Sequence, residues 1–231
     1  MTRDEAEPGK WAILYRLAAR LALVMLILIP VQVIIFVVFP IPETIDEFFS
    51  TFKGSWVLGL LHSDVLYIIN NLIVAVMYIA FYLSLKKRGE SLMLMALILG
   101  LLGVGVYMAS NKAFELLSLS RGFSRAVDES TRNLYRAAGI GMLAEWQGTA
   151  FDVYYILNGI ALVIMAFVML KSPLYGKRTA KIGIAAGILM VIPSTAGKLG
   201  LAFSLASLVP WILFAAMSAK VFFALGRFRE E

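Results

Sequence analysis

The chain contains no cysteine and only one histidine, His62. Without cysteine there is no disulfide framework, no thiolate metal site and no cysteine nucleophile. One imidazole cannot build a histidine-rich metal centre. Charge is also scarce. Only 16% of the 231 residues are charged, where a soluble domain carries about a quarter. No P-loop, dinucleotide fingerprint, HExxH or GxSxG motif occurs. The basic residues are not interleaved with aromatics in the way nucleic-acid binding requires. No cofactor, metal or nucleic-acid partner is therefore expected. No long polar stretch divides the chain, so residues 1–231 read as one domain.

Apolar residues are abundant, at 61% with a mean hydropathy of +0.85. They fall in runs of roughly twenty, enough to cross a ~30 Å hydrocarbon core at 1.5 Å per residue. Backbone polar groups in lipid must be satisfied within the segment, so such runs are helices. The expected fold is all-α, a polytopic membrane bundle of about six spans near 21–39, 65–85, 92–110, 153–170, 182–198 and 201–219. Pro30 and Gln32 interrupt the first span, and Pro193 is expected to kink the fifth.

Basic residues set the orientation. The N-terminal segment, the loops after the second and fourth spans, and the C-terminal end hold fourteen of the 21 lysines and arginines. Arg3, Arg16, Lys87, Lys177 and Arg229 are among them. The other side holds seven, mostly in one long loop. By the positive-inside rule both termini are cytoplasmic, which places the protein in the cell membrane with lipids as its first partners.

Two loops on the opposite side carry structure of their own. Thr44-x-x-Glu47 fits a capping box, and Ile45, Phe48, Phe49 and Phe52 then share one helical face, as in a short interfacial helix. The amphipathic segment 113–150 includes a stretch, Arg121 to Arg136, with the pairs Arg125–Glu129 and Asp128–Arg132 at i,i+4. Phe123, Val127 and Leu134 are expected on its apolar side.

The second and fourth spans begin alike. Asp64-Val65-Leu66-Tyr67-Ile68-Ile69-Asn70 matches Asp152-Val153-Tyr154-Tyr155-Ile156-Leu157-Asn158 at an offset of 88. Ala96 and Gly100 match Gly183 and Gly187 at 87, and Lys112 matches Lys198 at 86. Spans two–three and four–five then form parallel repeats, related by an axis along the membrane normal. That arrangement gathers Asp64, Tyr67, Asn70, Lys112, Asp152, Tyr155, Asn158 and Lys198 at one end of four helices as candidate ligand-binding residues. Each also has a structural role open to it. Aspartate caps helix N-termini, lysine suits C-termini and snorkels, and buried asparagine bonds across helices.

The order of parts resembles a prokaryotic six-helix integral membrane family known only as a domain of unknown function. The resemblance lies in the basic lead-in to span one, the helical loop, Leu83-Ser84-Leu85-Lys86-Lys87, the glycine-rich fifth span, and Leu208-Val209-Pro210-Trp211 in the last. It implies the six-helix fold and brings no activity or site residues. Three functions stay open. The first is binding or passage of a small solute or lipid headgroup through an outward-facing polar pocket. The second is a structural or assembly subunit. The third is an intramembrane enzyme using Asp64, Asp152, Glu145 or His62.

Overall fold

In the computed structural model, residues 8–227 are described and form nine helices. Arg3 and Arg229, used above for orientation, lie outside them. The helices are α1 (Pro8–Val38), α2 (Ile45–Gly54), α3 (Trp56–His62), α4 (Val65–Ser110), α5 (Ala113–Arg125), α6 (Glu129–Trp146), α7 (Thr149–Met169), α8 (Gly176–Met190) and α9 (Gly197–Gly226). No strand occurs among the described residues. Four stretches are long and apolar enough to cross a membrane: Gly9–Val38, Val65–Arg125, Glu129–Met169 and Gly197–Gly226. Their outward faces carry Ile27, Ile34, Leu72, Ile98, Leu102, Leu205 and Val209, all exposed. Apolar side chains on the surface above a buried core fit a membrane-embedded protein.

Several boundaries differ from the sequence reading. α4 runs through both the second and third expected spans and is broken at Gly89, where the backbone leaves helical geometry. The Lys86-Lys87-Arg88 run sits just before that break. α8 ends at Met190, so Pro193 lies in the link to α9 instead of kinking a helix over 182–198. Lys198 is then in the first turn of α9, not at a helix C-terminus. The segment from Arg121 to Arg136 is two helices. Ala126 caps α5, and Asp128 caps α6 by accepting from the Thr131 N–H at 2.7 Å. With the helix broken at 126–128, the Asp128 side chain satisfies an N–H that a continuous helix would have bonded internally. Val127, expected on the apolar side, is 98% exposed, and Leu134 is also exposed. Phe123 does pack inward, 5.1 Å from the Phe49 ring.

The packing rests on small residues. Ala12, Ala18, Ala19 and Ala22 of α1 are buried, and α1 lies along α9. At their ends a Cβ on Gly226 would come within 3.0 Å of the Arg16 backbone nitrogen, while the Arg16 guanidinium donates to the Gly226 carbonyl at 2.8 Å. α7 and α8 approach most closely where Gly159 faces Gly187; a Cβ on either would lie within 3 Å of the other's carbonyl oxygen. Small residues at helix crossings are how apolar helices associate in lipid. At the α4 break end, Phe81 packs on Tyr175, Phe214 and Phe222, and Ser84 shares a 2.7 Å hydrogen bond with the Tyr175 hydroxyl.

The opposite end is capped by α2, α3, α5 and α6. Thr44 caps α2 by accepting from the Glu47 N–H, and Glu47 reaches back one residue beyond the cap, to the Glu43 N–H at 2.8 Å. All four apolar residues of the α2 face are buried, and they pack on Ala113, Leu116, Leu117 and Trp146. Arg136 of α6 fastens this layer by a 2.9 Å bond to Asp46 of α2.

Candidate functional site

The site is set by a pinned turn between α3 and α4. The His62 ring nitrogen Nε2 donates to the Phe39 carbonyl at the end of α1, at 3.0 Å. The Ser63 hydroxyl donates to the Gly59 carbonyl, and the Asn111 amide donates to the Ser63 carbonyl from beyond the far end of α4. Held on both sides, the chain turns through Asp64 with φ 61° and ψ 27°, the one non-glycine left-handed residue among those described. Aspartate tolerates this region better than most residues, yet it still costs roughly 1–2 kcal/mol.

That turn points the Asp64 carboxylate away from its own helix end. It makes no side-chain cap. Instead it accepts from the amide of Gln32, a buried residue of α1, at 2.9 Å. The capping role expected for Asp64 is not what its side chain does. Asp152 is not the cap of α7 either. Gly148 occupies that position, and Asp152 in the first turn accepts from the Thr195 hydroxyl in the α8–α9 link.

Asp64 lines a cavity of about 580 Å³ among α1, α4, α7 and α9, together with Gln32, Phe36, Tyr67, Trp146, Gln147, Phe151, Tyr155, Ser194, Thr195 and Ser204. A smaller chamber of about 30 Å³ continues below it and shares Tyr67, Tyr155, Ser204 and Leu208 with the vestibule. Its remaining walls include Asn70, Tyr78, Tyr154, Asn158, Ser207 and Trp211. The larger volume is that of a small-molecule site, and the smaller has room for about two waters. From Asp64 to Tyr78 the polar path descends fourteen residues, roughly 21 Å along the helix. Below Tyr78 the bundle closes over Met77, Phe81, Met165 and Phe214, all buried.

The two asparagines behave differently. Both are buried, at 5% and 1% exposure. Asn158 is satisfied at both ends. Its Oδ1 accepts from the Tyr78 hydroxyl at 2.8 Å, and its Nδ2 donates to the Tyr154 carbonyl at 3.0 Å. The residue that copies the second bond is Asn71, which donates to the Tyr67 carbonyl at 3.0 Å. Asn70 lines the chamber, and its Oδ1 has no partner among the described residues. Tyr155 reaches the Ser204 hydroxyl at 3.3 Å, and its ring stands 5.2 Å from Phe151. Tyr67 and Tyr154 both pack on Tyr107, closing an aromatic wall.

The expected lysines lie outside this arrangement. Lys112 pairs with Glu145 at 2.8 Å and bonds the Ala109 carbonyl. Lys198 is exposed, and neither lysine lines the two cavities. His62 is turned to Phe39 and lines neither cavity. Gln32, Tyr78, Tyr154, Ser204, Ser207 and Trp211 join the walls without having been singled out. Ser204 and Ser207 at i,i+3 share a helix face in an otherwise apolar span, and Gln32 breaks an apolar run; both were readable signals.

No protein-family model matches the chain, and no curated protein or solved structure is significantly similar to it. The functional reading therefore rests on the geometry of this chain.

Proposed function

We propose that this is a six-span membrane protein with both termini in the cytoplasm, and that it binds a small solute or lipid headgroup in the vestibule below Asp64. The two limbs of α4, residues 65–88 and 90–110, supply the second and third spans, and α7, α8 and α9 supply the rest. Gly89 and the basic run beside it then form the first cytoplasmic turn. The capped end, with its vestibule, faces outward. α8 is the short member, with 15 residues or roughly 22 Å.

One observation carries the reading: Asn70 lines the chamber, and its buried amide oxygen has no protein donor to meet it. An interhelical bond is built on paired groups, as at Asn158, whereas an unmet buried acceptor costs about 1–3 kcal/mol. The subunit reading accounts for Asn158 and not for Asn70. The enzyme reading needs acids and bases converging on one point. Here Asp64, Asp152, Glu145 and His62 are each held by a different partner: Gln32, Thr195, Lys112 and Phe39.

The parallel repeat belongs to the same proposal, with one change of register. The matching bonds Asn71 to Tyr67 and Asn158 to Tyr154 stand at an offset of 87, as do Gly100 and Gly187. That single offset supports pairing Tyr67 with Tyr154 instead of Tyr155.

The chain has no cysteine, so one introduced thiol reports without background. Ser204→Cys places a thiol on the wall shared by both cavities. In intact cells it is expected to react with a membrane-impermeant maleimide, while Met165→Cys, in the sealed core, does not. Ser204→Cys unreactive from outside, but reactive in inverted vesicles, would overturn the outward-open site.

A further inference from the structure

We infer that the vestibule selects an organic cation, an amine or quaternary ammonium with apolar substituents, and seats its charge on Asp64; this rests on the outward-open pocket just proposed. The first ground is charge. Asp64 is the one acidic or basic residue lining the vestibule, and its carboxylate meets only the neutral Gln32 amide among the described residues. A part-exposed carboxylate with no protein cation beside it gains from a bound cation what the protein does not supply. Asp152, bonded to wall residue Thr195, adds negative charge at the same rim. Lysine and arginine are absent from the walls.

The second ground is the aromatic lining. Phe36, Tyr67, Trp146, Phe151 and Tyr155 surround the space beside the carboxylate. Aromatic faces attract cations, most strongly where water is excluded, and they do so for alkylammonium groups. Trp146 is 7% exposed and packs edge-on against Phe48, so this part of the aromatic wall is held from behind.

The third ground separates an organic cation from a metal ion. A hard cation takes six or more oxygen ligands. Among the described residues no three acidic or histidine side chains converge to hold one. A volume of about 580 Å³ with aliphatic walls such as Ile29, Leu201 and Leu205 suits a body with hydrocarbon on it.

The test uses the full chain in nanodiscs of phosphatidylglycerol, with benzyltrimethylammonium as probe and neopentylbenzene as its uncharged isostere. Binding is read by calorimetry and by protection of Ser204→Cys from the maleimide. Asp64→Asn is the informative variant. Asparagine tolerates the left-handed backbone and can still accept from Gln32, so the turn is kept and only the charge is lost. Expected are at least tenfold tighter binding of the cation than of the isostere, and at least tenfold weaker cation binding in Asp64→Asn. Phe151→Leu is expected to weaken the cation more than the isostere. Competition by added phosphatidylcholine assigns the cation to a lipid headgroup, and its absence assigns a free solute; either supports ammonium recognition. Equal affinity for cation and isostere, or an Asp64→Asn variant that binds the cation unchanged, would overturn the inference. If Ser204→Cys still reacts from outside in that case, the pocket stands and only its ligand class falls.

Discussion

Two glycines two residues apart in α4 should respond oppositely to alanine. A Cβ on Gly103 would stand 2.2 Å from Asn158 Nδ2, whereas a Cβ on Gly105 meets nothing within 4 Å. The Asn158 amide cannot yield freely, because it is bonded to both Tyr78 and Tyr154. Gly103→Ala therefore brings an overpacking cost of roughly 1–3 kcal/mol. To this is added the loss of an interhelical bond, about 0.6–1.7 kcal/mol in membrane bundles. Against both stands a gain of roughly 0.5–1 kcal/mol from replacing a helical glycine. The net is a loss of about 1–3 kcal/mol, while Gly105→Ala keeps only the gain. At about 2–4 °C per kcal/mol for a chain of this size, the two variants should melt roughly 5–15 °C apart. Thermal melts and SDS titration in mixed micelles would measure the gap. A double-mutant cycle sharpens it. In an Asn158→Ala background the Gly103→Ala cost should shrink to near zero, because its obstacle is gone. Equal stability of the two single variants, or strict additivity in the cycle, would refute the packing described around Asn158.

Single cysteines at Lys87 and Lys177 should be shielded from impermeant reagents in intact cells, and those at Thr51 and Arg125 should react; labelling at Lys87 would reverse the topology. Asn158→Leu should destabilise by about 1–3 kcal/mol, since it strands the Tyr78 hydroxyl, while Asn70→Leu should be near neutral in the same melts. Comparable losses for both would make Asn70 a packing residue. The Thr131 N–H and hydroxyl bonded to the Asp128 carboxylate hold it below its usual value of 3.8. A lowered folded pKa stabilises the start of α6 above that value, and the effect is lost as pH falls through the folded pKa. Hydrogen exchange at Thr131 should therefore rise, relative to the rest of α6, only in acid well below pH 4, and Asp128→Ala should raise it at every pH.

The helices were readable because their signals are local. A capping box and four phenylalanine or isoleucine positions at i, i+3, i+4 and i+7 were enough to describe α2 down to its buried face. Where hydropathy alone carried the reading, the boundaries drifted. Nothing apolar distinguishes a helix ending at Met190 from one ending at Lys198. The glycine at 197, with φ 65°, and the proline at 193 were the physical markers of that link. The site was less legible because no helix supplies more than a few of its polar residues. Gln32 comes from α1, Tyr67 and Asn70 from α4, Tyr155 and Asn158 from α7, Ser204 and Ser207 from α9. Each taken alone passes for interhelical bonding. The internal repeat exposed the α4 and α7 members, but it gave equal weight to the two lysines, which the fold turns aside.

What sets these residues apart is where the structure tolerates cost. Asp64 holds a left-handed backbone, Asn70 keeps an unmet acceptor and Trp146 an unmet donor. All three line the connected cavities. Asn71, Tyr107 and His62 each have a further unpartnered buried atom and line neither cavity, although Asn71 donates to Tyr67 and Tyr107 packs on Tyr67 and Tyr154 behind the wall. Trp11 and Ser218 are similar groups on α1 and α9 and line neither cavity. Leucine at 70, asparagine at 64 and phenylalanine at 146 would each relieve one of these costs without disturbing a paired group. A bundle shaped for stability alone has no reason to gather such residues around one opening. A bundle shaped to receive a ligand does, and in the proposed reading the Asp64 carboxylate is the group the ligand meets.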